Sequence, residues 1–510
     1  MTFLRLWHEV SFARLELRGD LGWTEGMRWA PYNKGGESRR WYGAQLHVVD
    51  WSKEGSDFVR SRATNSQFYF REYLSWTYRS SDDFAPRLYP PGFLWDVAGS
   101  GVFPASRETM WAILALLGSS SGSYLMNCLN PTSTFQVENV LEMPMDAHLE
   151  GDIRTAAIDE KVVRAAEITR SDWERYEIAW DFLESPIVAR GKAPLRSLIS
   201  DLCEDYKATC EELADIESDI DAFFADLYHL RGTLAEGGGS SRSVTLNANY
   251  FDSTSGDILK PFDKLVADSI RDLVSYIVGC MFGRYSLDEP GLILANQGDT
   301  LHEYLAKVAS PSFLPDRDNV IPIVDGDWFE DDIVERFRQF LRIAFGEEHF
   351  EENLRFVTES LGVKDLRDYF VKSFYKDHVQ RYKKRPIYWL FSSPKGSFSA
   401  LIYMHRYTPS TVSTVLNEYL REFKAKLEAS RQHHERLAFG VGTPRDKAAA
   451  EKEVDRLRKV LLELDEYEHD VLYPLATQQI AIDLDDGVKA NYPKFGSALK
   501  KIPGLEAGNE

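Results

Sequence analysis

At 510 residues, 44% hydrophobic and carrying a formal net charge of −20, the chain exceeds what one hydrophobic core supports and reads as roughly two to four folded domains. It has no run of eighteen apolar residues and no apolar signal core after Met1, which speaks against membrane insertion and secretion. Cys128, Cys203, Cys210 and Cys280 form no CxxC pair and lack histidines at ligand spacing, which argues against zinc and a disulfide framework and for a reducing cytoplasm.

Charge is unevenly spread. Residues 28–87 hold ten Lys and Arg against seven Asp and Glu, so an acidic body carries one locally basic region, a pattern compatible with nucleic acid contact at that region only. Within it, Pro31 to Trp51 organises the reading. Asn33-Lys34-Gly35-Gly36 is a turn in which two glycines let the backbone approach another surface closely. Lys34, Arg39 and Arg40 then stand beside Trp41 and Tyr42, mixing cationic forks with flat rings as phosphates and bases require. Leu46, Val48 and Val49 read as a strand behind the loop. Arg62 and Asn65 predict a second loop on the same face. The same residues also fit a glycine turn with solvated arginines and a small core around Trp41.

Residues 1–150, dense in Trp and turn signals, read as an α+β domain. Strands are predicted at Leu46–Trp51, Phe68–Tyr78 and Phe93–Val97, with a helix over Ser106–Leu117 whose face is Met110, Ile113, Leu114 and Leu117. From Asp152 the pattern turns helical. Ser171-Asp172 looks like a cap, and Trp173, Tyr176 and Trp180 place three rings on one helical side. Leu195 to Leu230 repeats apolar residues every 3.5, predicting one amphipathic helix of about 54 Å that suits a spacer over 151–235. Gly237-Gly238-Gly239-Ser240-Ser241 reads as a linker. Residues 241–400 are mixed and helix-rich. There Lys383-Lys384-Arg385 and Lys395 flank the aromatic run Tyr388–Phe391, either as phosphate contacts or as solvated ends of a buried β-hairpin. Over 401–510, stripes at Val412, Leu416, Tyr419, Phe423, Leu427 and at Val454, Leu457, Leu461, Leu464, Val471 predict a helical hairpin turning near Gly440–Pro444.

The chemistry of an amino-nitrogen methyltransferase needs a glycine-rich cofactor turn and an Asn/Asp-Pro-Pro-aromatic loop. Tyr89-Pro90-Pro91-Gly92 and Asn130-Pro131-Thr132 each fall short and read as turns. There is no GxxxxGK[ST], HExxH or GxSxG, and His433-His434 on a helix is no metal pair. No catalytic, cofactor-binding or metal-ligating residue is assigned.

Several long stretches carry a resemblance: PYNKGGESRRWYG (31–43), FLWDVAGSGVFP (93–104), SDWERYEIAWDF (171–182), VGCMFGRYSLDEPGLILANQGDT (278–300), RPIYWLFSSPKGSFSALIYMHRY (385–407) and DLDDGVKANYPKFG (483–496). Through them the whole chain resembles the C-terminal portion of the PglX family, adenine-specific DNA methyltransferases of the bacterial phage-exclusion system BREX. The resemblance implies a target-recognition region in the first 150 residues, a helical region after it, and a methyltransferase domain with its S-adenosylmethionine site before residue 1. The partners it implies are double-stranded DNA and that domain or other BREX proteins. Two other roles compete from sequence: a non-catalytic protein-interaction module built on the helical arms, and an acidic mimic of DNA.

Overall fold

In the computed structural model, residues 3–505 are described except 18, 20–22, 57–64, 81–83, 147, 237–245, 247–249 and 251–260. Helix takes up 55% of the chain and strand 8%, so the fold is α+β, with long helices and a helical C-terminal region. The chain divides into two compact units, one formed by residues 1–7, 14–186 and 197–269, the other by 8–13, 187–196 and 270–510. No single described helix is long and apolar enough to cross a membrane.

The first unit holds two small sheets. One is ordered β1–β3–β2–β6, from Leu4–Leu6 (β1), Trp29–Asn33 (β2), His47–Asp50 (β3) and Leu94–Trp95 (β6). Ala30 faces Val49 across an antiparallel pair, while Tyr32 runs parallel to Leu94. The second sheet joins Tyr73–Ser75 (β4) to Arg87–Tyr89 (β5) and Gly101–Val102 (β7). Val48 and Val49 are both buried, so β3 is covered on both faces and shows no polar alternation.

Helix α1 (Arg107–Gly118) lies where the apolar face predicts it, and it is capped by the Ser106 hydroxyl accepting from the Thr109 amide. Met110, Leu114 and Leu117 are buried along it. Its last residue touches the ring of Trp41: a Cβ on Gly118 would stand 2.6 Å from the indole. Gly118→Ala is therefore expected to overpack this contact and lower stability by about 1–3 kcal/mol, read as a shift of the denaturation midpoint.

Helix α2 (Ser120–Leu129) follows, then α3 (Ile158–Glu174). The cap predicted at Ser171-Asp172 is not one: α3 continues to Glu174 because Asp172 is held from the side by tertiary partners. The three rings predicted on one helical face separate, since Tyr176 and Trp180 lie in turns beyond the helix. Trp173 packs with Tyr42 and Leu46, and Trp180 lies 5.9 Å from Phe93.

The long amphipathic helix is a single element, α4 (Leu195–Leu227) of 33 residues. Its apolar face is buried at Ile199, Leu202, Tyr206, Leu213, Ile220 and Phe224. Arg164 pairs with Glu212, and Tyr206 stacks on Tyr250 at 4.0 Å. The glycine-serine run lies outside the described residues.

The second unit is built on a buried three-stranded sheet, with Ser399–Tyr403 (β10) between Ile321–Pro322 (β8) and Tyr388–Ser392 (β9). All five residues of β9 and of β10 are buried, so the aromatic run at 388–391 is the buried hairpin. Helices α5 (Phe262–Met281), α6 (Ile333–Phe345) and α7 (Phe350–Leu361) join it. Trp328 precedes α6, its indole nitrogen donating to the Asp325 carbonyl. The C-terminal hairpin is α8 (Arg421–Phe439) and α9 (Pro444–Tyr467). Thr443 caps α9 and Pro444 occupies its first turn, where a missing N–H costs nothing.

Candidate nucleic-acid interface

The loop after β2 is held from inside. Asn33 is buried, its amide donating to Tyr73 Oη (3.0 Å), Ser75 Oγ (2.7 Å) and Gly99 O (3.3 Å), while its Oδ1 accepts from the Gly35 amide. Gly35 has a φ of +78° with the Ala98 carbonyl 2.8 Å from where a Cβ would stand, so its glycine is required twice over. Arg87, fully buried, donates to the carbonyls of Gly35 (2.5 Å), Glu37 (3.0 Å) and Arg39 (3.2 Å). Spending a guanidinium on three carbonyls satisfies backbone acceptors that would otherwise be buried without donors.

The cations and rings read from sequence as the contact surface are mostly interior. Arg39 is buried and engages Asp172, the Tyr42 carbonyl (3.0 Å) and the Thr169 carbonyl (3.3 Å). Arg40 is 2% exposed and lies in the field of Asp221. Trp41 is fully buried, donating from Nε1 to Glu217 Oε1 at 2.8 Å. Tyr42 is buried, its hydroxyl 3.2 Å from Gln45 Oε1, and burial pushes that hydroxyl's pKa above its usual range. The structure thus does not bring Asn33, Arg39, Arg40, Trp41 and Tyr42 together as an exposed patch. A guanidinium leaves water only when paired, and the pairing carboxylate of Arg39 lies 133 positions away in the chain, invisible to any local pattern.

Of the remaining predicted residues, Lys34 is half-buried and paired with Asp96. Asn65 is exposed and left-handed, with a φ of +65°. Arg62 lies outside the described residues. Lys383, Lys384 and Lys395 are exposed in the second unit, whereas Arg385 is partly buried 3.8 Å from Glu9.

Asn65 opens a segment that departs from the strand predicted there. Phe68–Tyr78 is interrupted because Phe70 takes a φ of +62°, which no strand accommodates. The break leaves Phe68, Tyr69, Trp95 and Phe103 half-buried in mutual contact. Phe68 stacks on Phe103 at 4.8 Å, Phe103 meets Trp95 at 4.9 Å, and Trp95 meets Tyr69 edge-on at 5.1 Å. The exposed Arg71 lies over the Phe68 ring at 5.5 Å. Lys34 and Asp96 sit at the Trp95 end, where Asp96 Oδ1 also accepts from the Ala98 amide at 2.8 Å. This shelf of half-buried rings has Arg71 and Asn65 exposed at its rim, with Lys34 paired to Asp96 at the other end. The one sequence signal for it was the density of rings at 68–70 and 93–103.

Neither proline turn fits a methyl-donor site. Gly92 of the Tyr89–Gly92 turn packs against Gly19, and its amide donates to the Phe70 carbonyl. The Asn130 side-chain oxygen Oδ1 accepts from the amide and hydroxyl of Thr132. No group of three or more metal-ligating side chains forms among the described residues.

No family model matches the chain. The adenine-specific methyltransferase BrxX of Escherichia coli O9:H4 (strain HS) is 33% identical over 530 residues, covering 99% of this chain and 42% of BrxX. The adenine-specific methyltransferase PglX of Lacticaseibacillus casei (strain Zhang) is 31% identical over the same shares. This chain is homologous to the BrxX and PglX methyltransferases. The homology runs through both units, so the shelf, the buried Arg39–Asp172 pair and the helical hairpin all lie within a portion of BrxX and PglX that makes up less than half of their length.

Proposed function

We propose that this chain is a DNA-contacting and scaffolding portion of an adenine-specific DNA methyltransferase of the BREX type, acting in the cytoplasm on double-stranded DNA. Homology along 99% of the chain to proteins of that name carries the reading, and the ring shelf supplies a surface able to meet DNA. In this reading a methyltransferase domain supplies S-adenosylmethionine and the transferring residues, and this portion positions it on its target. The direct contacts move from the arginines at 39 and 40 to Phe68, Trp95, Phe103, Arg71, Lys34 and Asn65.

Fluorescence anisotropy of the full chain with an adenine-containing duplex over a salt series tests this. Arg71→Glu, on an exposed side chain, is expected to fold normally and to reduce the slope of log K against log salt by about one unit per phosphate lost. Phe68→Ala is expected to weaken binding roughly ten-fold, within the ~1–3 kcal/mol of one stacked ring. Affinity and slope unchanged in both variants would remove the shelf from the interface.

A further inference from the structure

The C-terminal hairpin ends in an exposed apolar tip. Within α8 the buried residues stop at Leu427 until Ala438, and within α9 they resume at Ala450. Burial reaches Ala438 on α8 and begins again at Ala450 on α9, so the largely exposed part is the turn between them. At the end, Leu437 is 50%, Phe439 87% and Val441 110% exposed.

Charge at this tip opposes the charge of the whole. Residues 436–452 carry four cations, Arg436, Arg445, Lys447 and Lys452, against the carboxylates Asp446 and Glu451, in a chain of net charge −20. None of the four cations forms an ion pair among the described residues, whereas cations lower in the hairpin do. The nearby acids are largely occupied: Glu435 by Arg431 and Arg458, and Asp446 by the Thr443 hydroxyl at 2.7 Å. An apolar point ringed by unspent cations matches a polyanion whose interior is apolar. Proteins that kink duplexes insert Phe, Leu or similar wedges between base steps while flanking cations hold the backbone.

We propose that the hairpin tip is a second duplex-contacting element, in which Arg436, Arg445 and Lys447 hold phosphates while Phe439 and Val441 press against a base step. This rests on the reading of the chain as part of a DNA methyltransferase, because that reading selects DNA over an anionic lipid surface as the polyanion.

The experiment uses the full chain and a duplex carrying 2-aminopurine, whose fluorescence rises when it unstacks. Arg436→Glu with Arg445→Glu is expected to lower the salt slope by about two units, at ~0.9 per phosphate. Phe439→Ser with Val441→Ser is expected to leave the slope unchanged and abolish the fluorescence rise. All four side chains are exposed, so circular dichroism should match the parent for both variants. Parental affinity, slope and fluorescence in both tip variants, with binding still lost in Arg71→Glu, would overturn the tip contact and leave the broader reading standing. A parent chain that binds no duplex would overturn both. Capture of the parent, but not the Phe439 variant, by phosphatidylserine vesicles with no duplex binding would reassign the tip to membranes.

Discussion

Asp172→Ala is expected to lower the melting temperature by roughly 10 °C or more, because it strands a buried cation rather than removing a surface contact. The Asp172 side chain is fully buried and the Arg39 side chain is 8% exposed. Asp172 also accepts from the Tyr250 hydroxyl at 2.5 Å, and burial, then the Asp172 carboxylate, raise that tyrosine's pKa far above its usual value. Removing one partner of such a pair costs about 3–5 kcal/mol, and each kcal/mol shifts the midpoint by roughly 2–4 °C in a unit of this size. Arg39→Met with Asp172→Leu, which removes both charges, should regain most of the loss. Calorimetry separates this from a phosphate-contact role for Arg39: a contact residue mutated alone would spare the melting temperature and weaken only DNA binding. An Asp172→Ala protein melting within about 2 °C of the parent would refute the internal role.

The same pair explains where the sequence was legible. Elements specified by their own period emerged: the face of α1, the single long helix α4, the strand through Val48 and Val49, and the hairpin whose turn carries Thr443 and Pro444. Each depends on neighbours within a few turns of chain. Arg39, Arg40 and Trp41 depend instead on Asp172, Asp221 and Glu217, and no composition rule distinguishes an arginine awaiting a phosphate from one awaiting an internal carboxylate. Asp172 illustrates the converse, since its local signal as a cap was overridden by the Arg39 guanidinium. The ring shelf was hidden for a related reason: Phe68–Tyr78 alternates well enough for a strand, and the positive φ at Phe70 interrupts it. Lys34 and Asn65 were picked out by the sequence, whereas the half-buried rings beside them were not.

Acid should destabilise the second unit through three buried histidines. His8, His378 and His405 are each 3% exposed or less. Burial first, and then nearby cations including Arg284, lower all three pKa values, that of His405 to about 3. Arg284, itself fully buried, donates to the hydroxyls of Tyr285 (3.1 Å) and Tyr403 (2.8 Å). With folded pKa values below the unfolded value of about 6.5, the unfolded chain binds more protons, so stability holds above pH ~6.5 and falls as pH drops below it. Asp316 acts in the opposite sense. Burial, then the Asp318 carboxylate, pushes its pKa up to about 7, so its contribution grows as pH falls from about 7 toward the unfolded value near 4. Three histidines against one carboxyl leave a net loss of stability as pH falls from 7 toward 5. Melting temperatures measured across that range should therefore fall, less steeply in His405→Gln and more steeply in Asp316→Asn. The comparison uses each variant's pH slope rather than its midpoint, so a general loss of packing does not mimic the result. Parallel slopes in the parent and both variants would show that these groups do not govern the acid response.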